Sequence, residues 1–286
     1  METPSTIPLQ KPLPGGDSLE RVALVVPCYN EASRLDAAAF RQAARNHRWL
    51  DLWFVDDGSS DTTLDLLKQL ESDDPPQFHV VGLESNHGKA EAVRRGVQAA
   101  LATAPDLVGY WDADLATPLE TLPAMRDVLC RLPHIEIVLG SRRRLSGRRI
   151  RRHPVRRILG RLFAAATAVT LGLPVYDTQC GAKLFRNTRV VQRIFSAPFH
   201  SRWIFDVEWL VRWKDLVASS SSVRESVYEF PLDAWHDVQG SKLRRRDFLT
   251  AFSDLCRIAW KYRVLGESQR LPGGEALPAK RSRRAA

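Results

Sequence analysis

Five nearly uninterrupted apolar, β-rich runs restrict what this chain can fold into: Val22–Val26, Leu52–Val55, Phe78–Leu83, Leu107–Trp111 and Ile135–Leu139. A strand with one wet face alternates apolar and polar residues, whereas a strand covered on both faces reads as a continuous run. Segments with helical spacing separate the runs: Arg34–Trp49, Thr62–Leu70, Lys89–Leu101 and Leu119–Leu132. Strands alternating with helices predict an α/β chain with a mostly parallel central sheet flanked by helices on both faces. No fixed-period internal repeat competes with that reading.

The residues just after each run are equally informative. The first run leads into Pro27-Cys28-Tyr29-Asn30-Glu31, the second into Asp56-Asp57-Gly58-Ser59-Ser60-Asp61 and the third into Glu84-Ser85-Asn86-His87-Gly88-Lys89. The fourth leads into Asp112-Ala113-Asp114 and the fifth into Gly140-Ser141-Arg142. In an open α/β sheet, ligands bind outside the carboxyl ends of the strands. One polar cluster there is ordinary, but five rich in carboxylates and small residues place a site on that edge.

Asp112 and Asp114 are read as the end of a strand, where residues i and i+2 point to one side. Their carboxylates can then share one hard cation, Mg2+ or Mn2+. Such a cation bridges two phosphates and neutralises charge on a leaving group. The plainer reading is a solvated turn or helix cap, and position on the ligand edge favours the cation. Asp56 and Asp57 offer acceptors to a base or ribose, with Gly58 permitting a sharp turn. Asn86 to Lys89 opens a helix whose backbone N–H groups, with Lys89, can meet phosphate.

Composition narrows the partner. Lys and Arg total 42 against 33 Asp and Glu, a formal charge of +9, which suits an anionic partner. Cys28, Cys130, Cys180 and Cys256 are far apart and form no CxxC pair, which argues against a zinc site or a disulfide framework. Cys180 reads as a small buried residue rather than a nucleophile. Residues 1–20 are expected to be a disordered lead-in, 21–263 one catalytic domain and 264–286 a disordered basic tail. No stretch reaches the ~18 apolar residues of a membrane span, so a cytoplasmic chain held peripherally at a membrane is expected. From Arg142 to Arg161 there are ten arginines and no acid, and an apolar stretch runs on to Val175. This is the pattern of interfacial helices on anionic lipid. No nucleic-acid-reading module accompanies it, so no nucleic acid partner is expected.

Together these residues resemble family 2 glycosyltransferases with the nucleotide-sugar-binding A-type fold. Downstream motifs are more discriminating. Asp177-Thr178-Gln179-Cys180-Gly181-Ala182-Lys183-Leu184-Phe185, Trp203-Ile204-Phe205-Asp206-Val207-Glu208 and Trp235-His236-Asp237-Val238-Gln239-Gly240-Ser241-Lys242 are similar to segments of dolichyl-phosphate β-glucosyltransferases. The resemblance implies that Pro27, Tyr29, Glu31 and Asp57 surround the base and ribose. It places Asp112 and Asp114 at the metal and diphosphate, and Ser241 and Lys242 over the diphosphate. Gln179 and Lys183 would line the reaction centre, with Asp206 and Glu208 facing sugar or acceptor. Two departures stand out. Ala116 occupies a position where related mannosyltransferases carry Gln, and the membrane span of the eukaryotic enzymes has no counterpart here.

The implied reaction is inverting transfer of a hexose, glucose from UDP-glucose, to a polyprenyl or dolichyl phosphate. A phosphate monoester is already a nucleophile near neutrality, its second pKa being about 6. The site then needs to hold the acceptor in line and stabilise the departing diphosphate. Arginines suit the first task through forked hydrogen bonds, and the metal, Lys89 and Lys242 suit the second; Arg142 is a candidate for substrate binding. Asp206 orients a hydroxyl or a cation in this scheme, and becomes the base candidate only for an alcohol acceptor. His236 is a candidate for the metal shell or a phosphate contact. The rivals are a family 2 enzyme with a soluble or glycan acceptor, and a non-catalytic basic protein binding membrane or nucleic acid.

Overall fold

The computed structural model describes residues 20–73, 76–142, 149–150, 167, 175–217, 225–236, 245–263, 266 and 271–272. All but the last residue of the expected lead-in, most of the basic tail, most of the Arg142–Val175 segment, and Ser241 with Lys242 lie outside the described residues; within the tail, Leu271 is described and buried.

Each expected strand and helix of the first half forms. The strands are β1 (Val22–Cys28), β2 (Leu50–Asp56), β3 (Phe78–Gly82), β4 (Leu107–Trp111) and β5 (Ile137–Ser141). The helices are α1 (Ala37–Asn46), α2 (Thr63–Asp73), α3 (Lys89–Leu101) and α4 (Leu122–Arg131), the last entered through a 3-10 turn at Leu119–Thr121. Asp36 starts α1 by accepting the Ala39 N–H at 3.0 Å, satisfying a donor that the helix itself cannot. The second half adds β6 (Arg149–Ile150), β7 (Ala182–Arg186), α5 (Arg189–Ile194), α6 (Phe205–Leu216), β8 (Val227–Pro231), β9 (Ala234–Trp235) and α7 (Arg245–Arg263).

Seven strands make one sheet in the order β3-β2-β1-β4-β7-β5-β8. All neighbours are parallel except β7, which runs antiparallel to both β4 and β5. The continuous apolar runs do what two-sided burial requires. In β1, Val22, Leu24 and Val26 join one core with Phe40, Leu67, Leu70 and Met125, while Ala23 and Val25 join the other with Val93, Val97 and Trp209. Helices α1, α2 and α4 thus cover one face, and α3 and α6 the other. This mostly parallel sheet between helical layers is the A-type arrangement.

Candidate active site at the carboxyl edge of the sheet

The first two strand-end loops are sewn together. Asn30, with φ 51°, donates its N–H to Ser59 Oγ at 2.9 Å, and its Oδ1 accepts the Ser60 N–H at 2.8 Å. Glu31 donates its N–H to Thr63 Oγ1 at 2.8 Å, and its buried carboxylate is gripped by Arg34 Nε at 2.9 Å and Nη2 at 2.5 Å. Pro27 and Tyr29 are half-buried on the same edge. Gly58 has φ +64°, and a Cβ there would lie 2.4 Å from the Ser85 carbonyl carbon. Only glycine lets the third loop pass so close.

The adjacent aspartates have different tasks. Asp57 accepts the His87 N–H on one oxygen and the Gly88 N–H on the other, each at 2.8 Å. It therefore holds the loop that precedes α3. Burial nevertheless pushes its carboxyl above the ordinary value. Asp56 uses Oδ2 for the Ser59 N–H at 3.1 Å, while its buried Oδ1 has no partner. A buried acceptor without a donor is costly.

Asp112 and Asp114 stand one step beyond the expected position. β4 ends at Trp111, and both residues lie in a turn closed by the Leu115 N–H to the Asp112 carbonyl at 3.2 Å, with Leu115 at φ 51°. Turn geometry, not strand alternation, brings them together. Burial raises Asp114, and the negative charge of Asp112 adds to the effect. Burial also pushes Asp112 up, but the Lys89 ammonium 2.5 Å from Oδ1, with the charges of Lys183 and Arg142, holds that carboxyl below its usual range. Gly181 is the backstop. A Cβ on it would fall 1.9 Å from Asp112 Oδ2. No cluster of three metal-ligating side chains occurs among the described residues. Two hard carboxylates on an open edge fit a divalent cation whose other ligands are phosphate and water oxygens.

Beyond Lys89 lies a second charged group. Lys183 on β7 is fully buried, 2.7 Å from Asp206 Oδ1. It also donates to the Cys180 carbonyl and sits 5.1 Å from the centre of the Tyr110 ring. The Tyr110 hydroxyl donates to the same Asp206 oxygen and accepts Trp209 Nε1–H at 3.0 Å. Burial, reinforced by the Asp206 charge, pushes the Tyr110 phenol well up, so it remains a donor. Asp206 and Lys89 also feel each other, because Asp206 is among the charges that raise Lys89 against the opposing effect of burial. The charge of Asp206 thus reaches the Asp112–Lys89 pair.

Several expected residues take other places. Arg142 does present a fork, but Asp177 occupies it through Nε and Nη2, both at 2.7 Å. That pair anchors the segment leading to β7, and Asp177 takes up the fork expected for substrate. Gln179 is half-buried beside Thr178. Cys180 is fully buried and its thiol is raised by burial, consistent with packing. His236 is exposed, and its N–H to the Ala116 carbonyl at 3.0 Å sets it beside the Asp112–Leu115 turn.

Glu208 departs furthest from expectation. It is fully buried, and its carboxylate is bound by His200, by Arg212 Nη2 at 2.9 Å and by the Tyr262 hydroxyl at 2.7 Å. Residues i and i+2 on a helix are about 200° apart, at 3.6 residues per turn, so Glu208 cannot share the face of Asp206. It clasps α6 to α7. Burial pushes its carboxyl up, but His200, Arg212 and Tyr262 together bring it below its ordinary value. A lowered folded pKa stabilises above the unfolded pKa, and that contribution is lost as pH falls through the folded value. Glu208→Gln is therefore expected to cost about 3 kcal/mol near neutrality, with the deficit shrinking in acid; urea melts at two pH values measure it.

Tyr110 and Arg202 carry no sequence signal. Tyr110 sits inside an apolar run. Arg202, adjacent to Trp203, holds the loop before α3 through the His87 and Asn86 carbonyls, both at 2.8 Å. Such long-range contacts leave no local spacing to detect.

The same architecture recurs in solved proteins. Glucosyl-3-phosphoglycerate synthase of Mycobacterium tuberculosis, crystallised with Mn2+, UDP-glucose and phosphoglyceric acid, superposes with a TM-score of 0.62 over 88% of this chain and 86% of its own, at 18% identity. Among curated proteins, a dolichyl-phosphate beta-glucosyltransferase of Trichomonas vaginalis is 32% identical over 91% of this chain and 78% of its own length. That of Saccharomyces cerevisiae is 29% identical over 84% and 75% respectively. The model of the family described as "Glycosyl transferase family 2" matches residues 23–193, which include the Asp56–Ser59 turn, Asp112, Asp114 and Lys183. With the strand-end carboxylates in place on this sheet, the chain belongs to glycosyl transferase family 2.

Proposed function

We propose that this chain moves glucose, with inversion, from UDP-glucose to a polyprenyl phosphate of the dolichyl type at the cytoplasmic face of a membrane. The observation that carries the reading is the joined cluster of Asp112, Asp114 and Lys89 with Asp206 and Lys183 on the ligand edge. The dolichyl-phosphate beta-glucosyltransferases similar over most of the chain supply the substrate class.

In this reading Asp56 Oδ1 accepts the N–H of the uracil ring, with Pro27, Tyr29 and Glu31 around base and ribose. Asp112 and Asp114 hold Mg2+ or Mn2+. When bound, the ion supplies positive charge to the diphosphate. Lys89 sits where it adds to that charge, and Ser241 and Lys242 are assigned the same task by motif. Gln179 lines the acceptor side with His236 at the rim, and the buried Lys183–Asp206 pair backs it. Because a phosphate monoester attacks without losing a proton, Asp206 serves as an orienting group. Its Oδ1 is already committed to Tyr110 and Lys183. No helix among the described residues is long and apolar enough to cross a membrane, and a peripheral attachment fits the basic chain.

A panel of radiolabelled sugar nucleotides, assayed with polyprenyl phosphate and Mg2+ or Mn2+, tests donor and acceptor together. Label from UDP-glucose is expected in the organic phase. Label confined to a water-soluble product instead favours a soluble acceptor. Asp56→Asn keeps an oxygen for Ser59 but turns a donor toward the ring N–H. UDP affinity is expected to fall at least ~10-fold by calorimetry, the size of one unmet buried donor.

A further inference from the structure

Helix α7 has two unlike flanks. Leu255, Ile258 and Tyr262 are buried, joining the core that contains Trp209 and Trp213 of α6. Another flank carries Phe252, Cys256 and Trp260, spaced i, i+4, i+8, all exposed. Phe252 is 59% and Trp260 56% exposed, the highest values for large hydrophobic residues among the described residues. Two helical turns put them about 12 Å apart on one line. The helix contains five basic and two acidic residues and both begins and ends on arginine. One of the two acids, Asp254, is turned inward to Ser201 Oγ at 2.7 Å.

We propose that this flank of α7 docks the protein on an anionic bilayer, with Phe252 and Trp260 at the boundary between headgroups and acyl chains. Tryptophan favours that boundary because its ring is apolar and its N–H is wet. A second copy of the chain fits less well. A buried aromatic side chain contributes about 150–250 Å², so two half-exposed ones offer far less than the ~800 Å² per partner of a stable protein interface. Two chains of charge +9 also repel each other, whereas the same charge is drawn to an anionic surface. Docking here reaches the site through one clasp. Tyr262 on α7 donates to Glu208 on α6, the helix that also carries Asp206. The inference deepens the lipid-acceptor reading, yet surface binding can be measured without any acceptor.

The test is co-sedimentation of the full chain with vesicles of phosphatidylcholine alone or with added phosphatidylglycerol. The parent is expected to bind the anionic vesicles and to be released by salt. Phe252→Ser/Trp260→Ser changes only exposed groups, so its melting temperature should match the parent's, and its partition should fall about 10-fold or more. Partition unchanged in this variant overturns the proposal, as does equal binding to uncharged vesicles. A parent dimer in light scattering that the same variant dissolves also overturns it, in favour of a second copy. With a short-chain, water-soluble polyprenyl phosphate the variant is expected to turn over like the parent. A parent inactive on every polyprenyl phosphate would defeat the acceptor assignment while leaving the vesicle result standing.

Discussion

Asp114→Asn is expected to abolish most transfer while leaving the fold intact or firmer. Asp114 is pressed upward by burial and by the neighbouring charge of Asp112. A raised folded pKa means that the native state favours the protonated form, so ionised Asp114 costs stability at neutral pH and the cost disappears in acid. Asparagine removes that cost and keeps an oxygen for the Ala116 N–H, now 3.0 Å from Oδ1. The melting temperature should stay level or rise. Transfer should fall by about 10²–10³-fold or more, the scale for losing one preorganised electrostatic group. Divalent-ion dependence of UDP binding should weaken in parallel. Calorimetry with and without Mn2+, beside a thermal melt, reads both. A melt lowered by many degrees would mean that the carboxylate is structural.

Asp206→Asn should behave in the opposite way, losing activity and stability together. Lys183 is fully buried, with Asp206 as its counter-ion at 2.7 Å. Removing one member of a buried pair leaves an uncompensated charge and costs about 3–5 kcal/mol. At ~2–4 °C per kcal/mol for a domain of this size, the melt should drop on the order of 10 °C. Asp206→Leu/Lys183→Met removes both charges, and much of the lost stability should return. Transfer should not. A double variant that regains transfer along with its melting temperature would show that the pair serves only to hold β7 to α6. Tyr110→Phe provides a milder probe, because it removes one donor to Asp206 and the acceptor for Trp209. It should lower kcat more than it raises KM for the donor.

The first half of the fold is legible in the sequence because two-sided burial writes itself as continuous apolar runs. β1 to β5 and α1 to α4 all appear within a few residues of their expected places. β7 and β8 are not legible, since Ala182–Arg186 and Val227–Pro231 interleave charged and apolar residues whose partners are remote. The site is legible at the level of which loops converge. Its division of labour is not. Asp56 and Asp57 are adjacent in sequence, and the approach of the His87–Gly88 backbone pairs both oxygens of Asp57 while Asp56 keeps a buried oxygen without a partner. Asp206 and Glu208 share one motif, yet helical rotation sends one toward Lys183 and the other toward Arg212. Arg142 reads as a free fork in the sequence because Asp177, its partner, lies 35 residues away.

The reversed strand also governs cohesion. Among the described residues, β7 is the strand that hydrogen-bonds the β3-β2-β1-β4 block to the β5-β8 pair. Its second residue, Lys183, lies opposite Tyr110 on one neighbour and Leu139 on the other. The seam between the two blocks is thus a strand of five residues. A substitution in β7 is therefore felt on both flanks of the sheet at once.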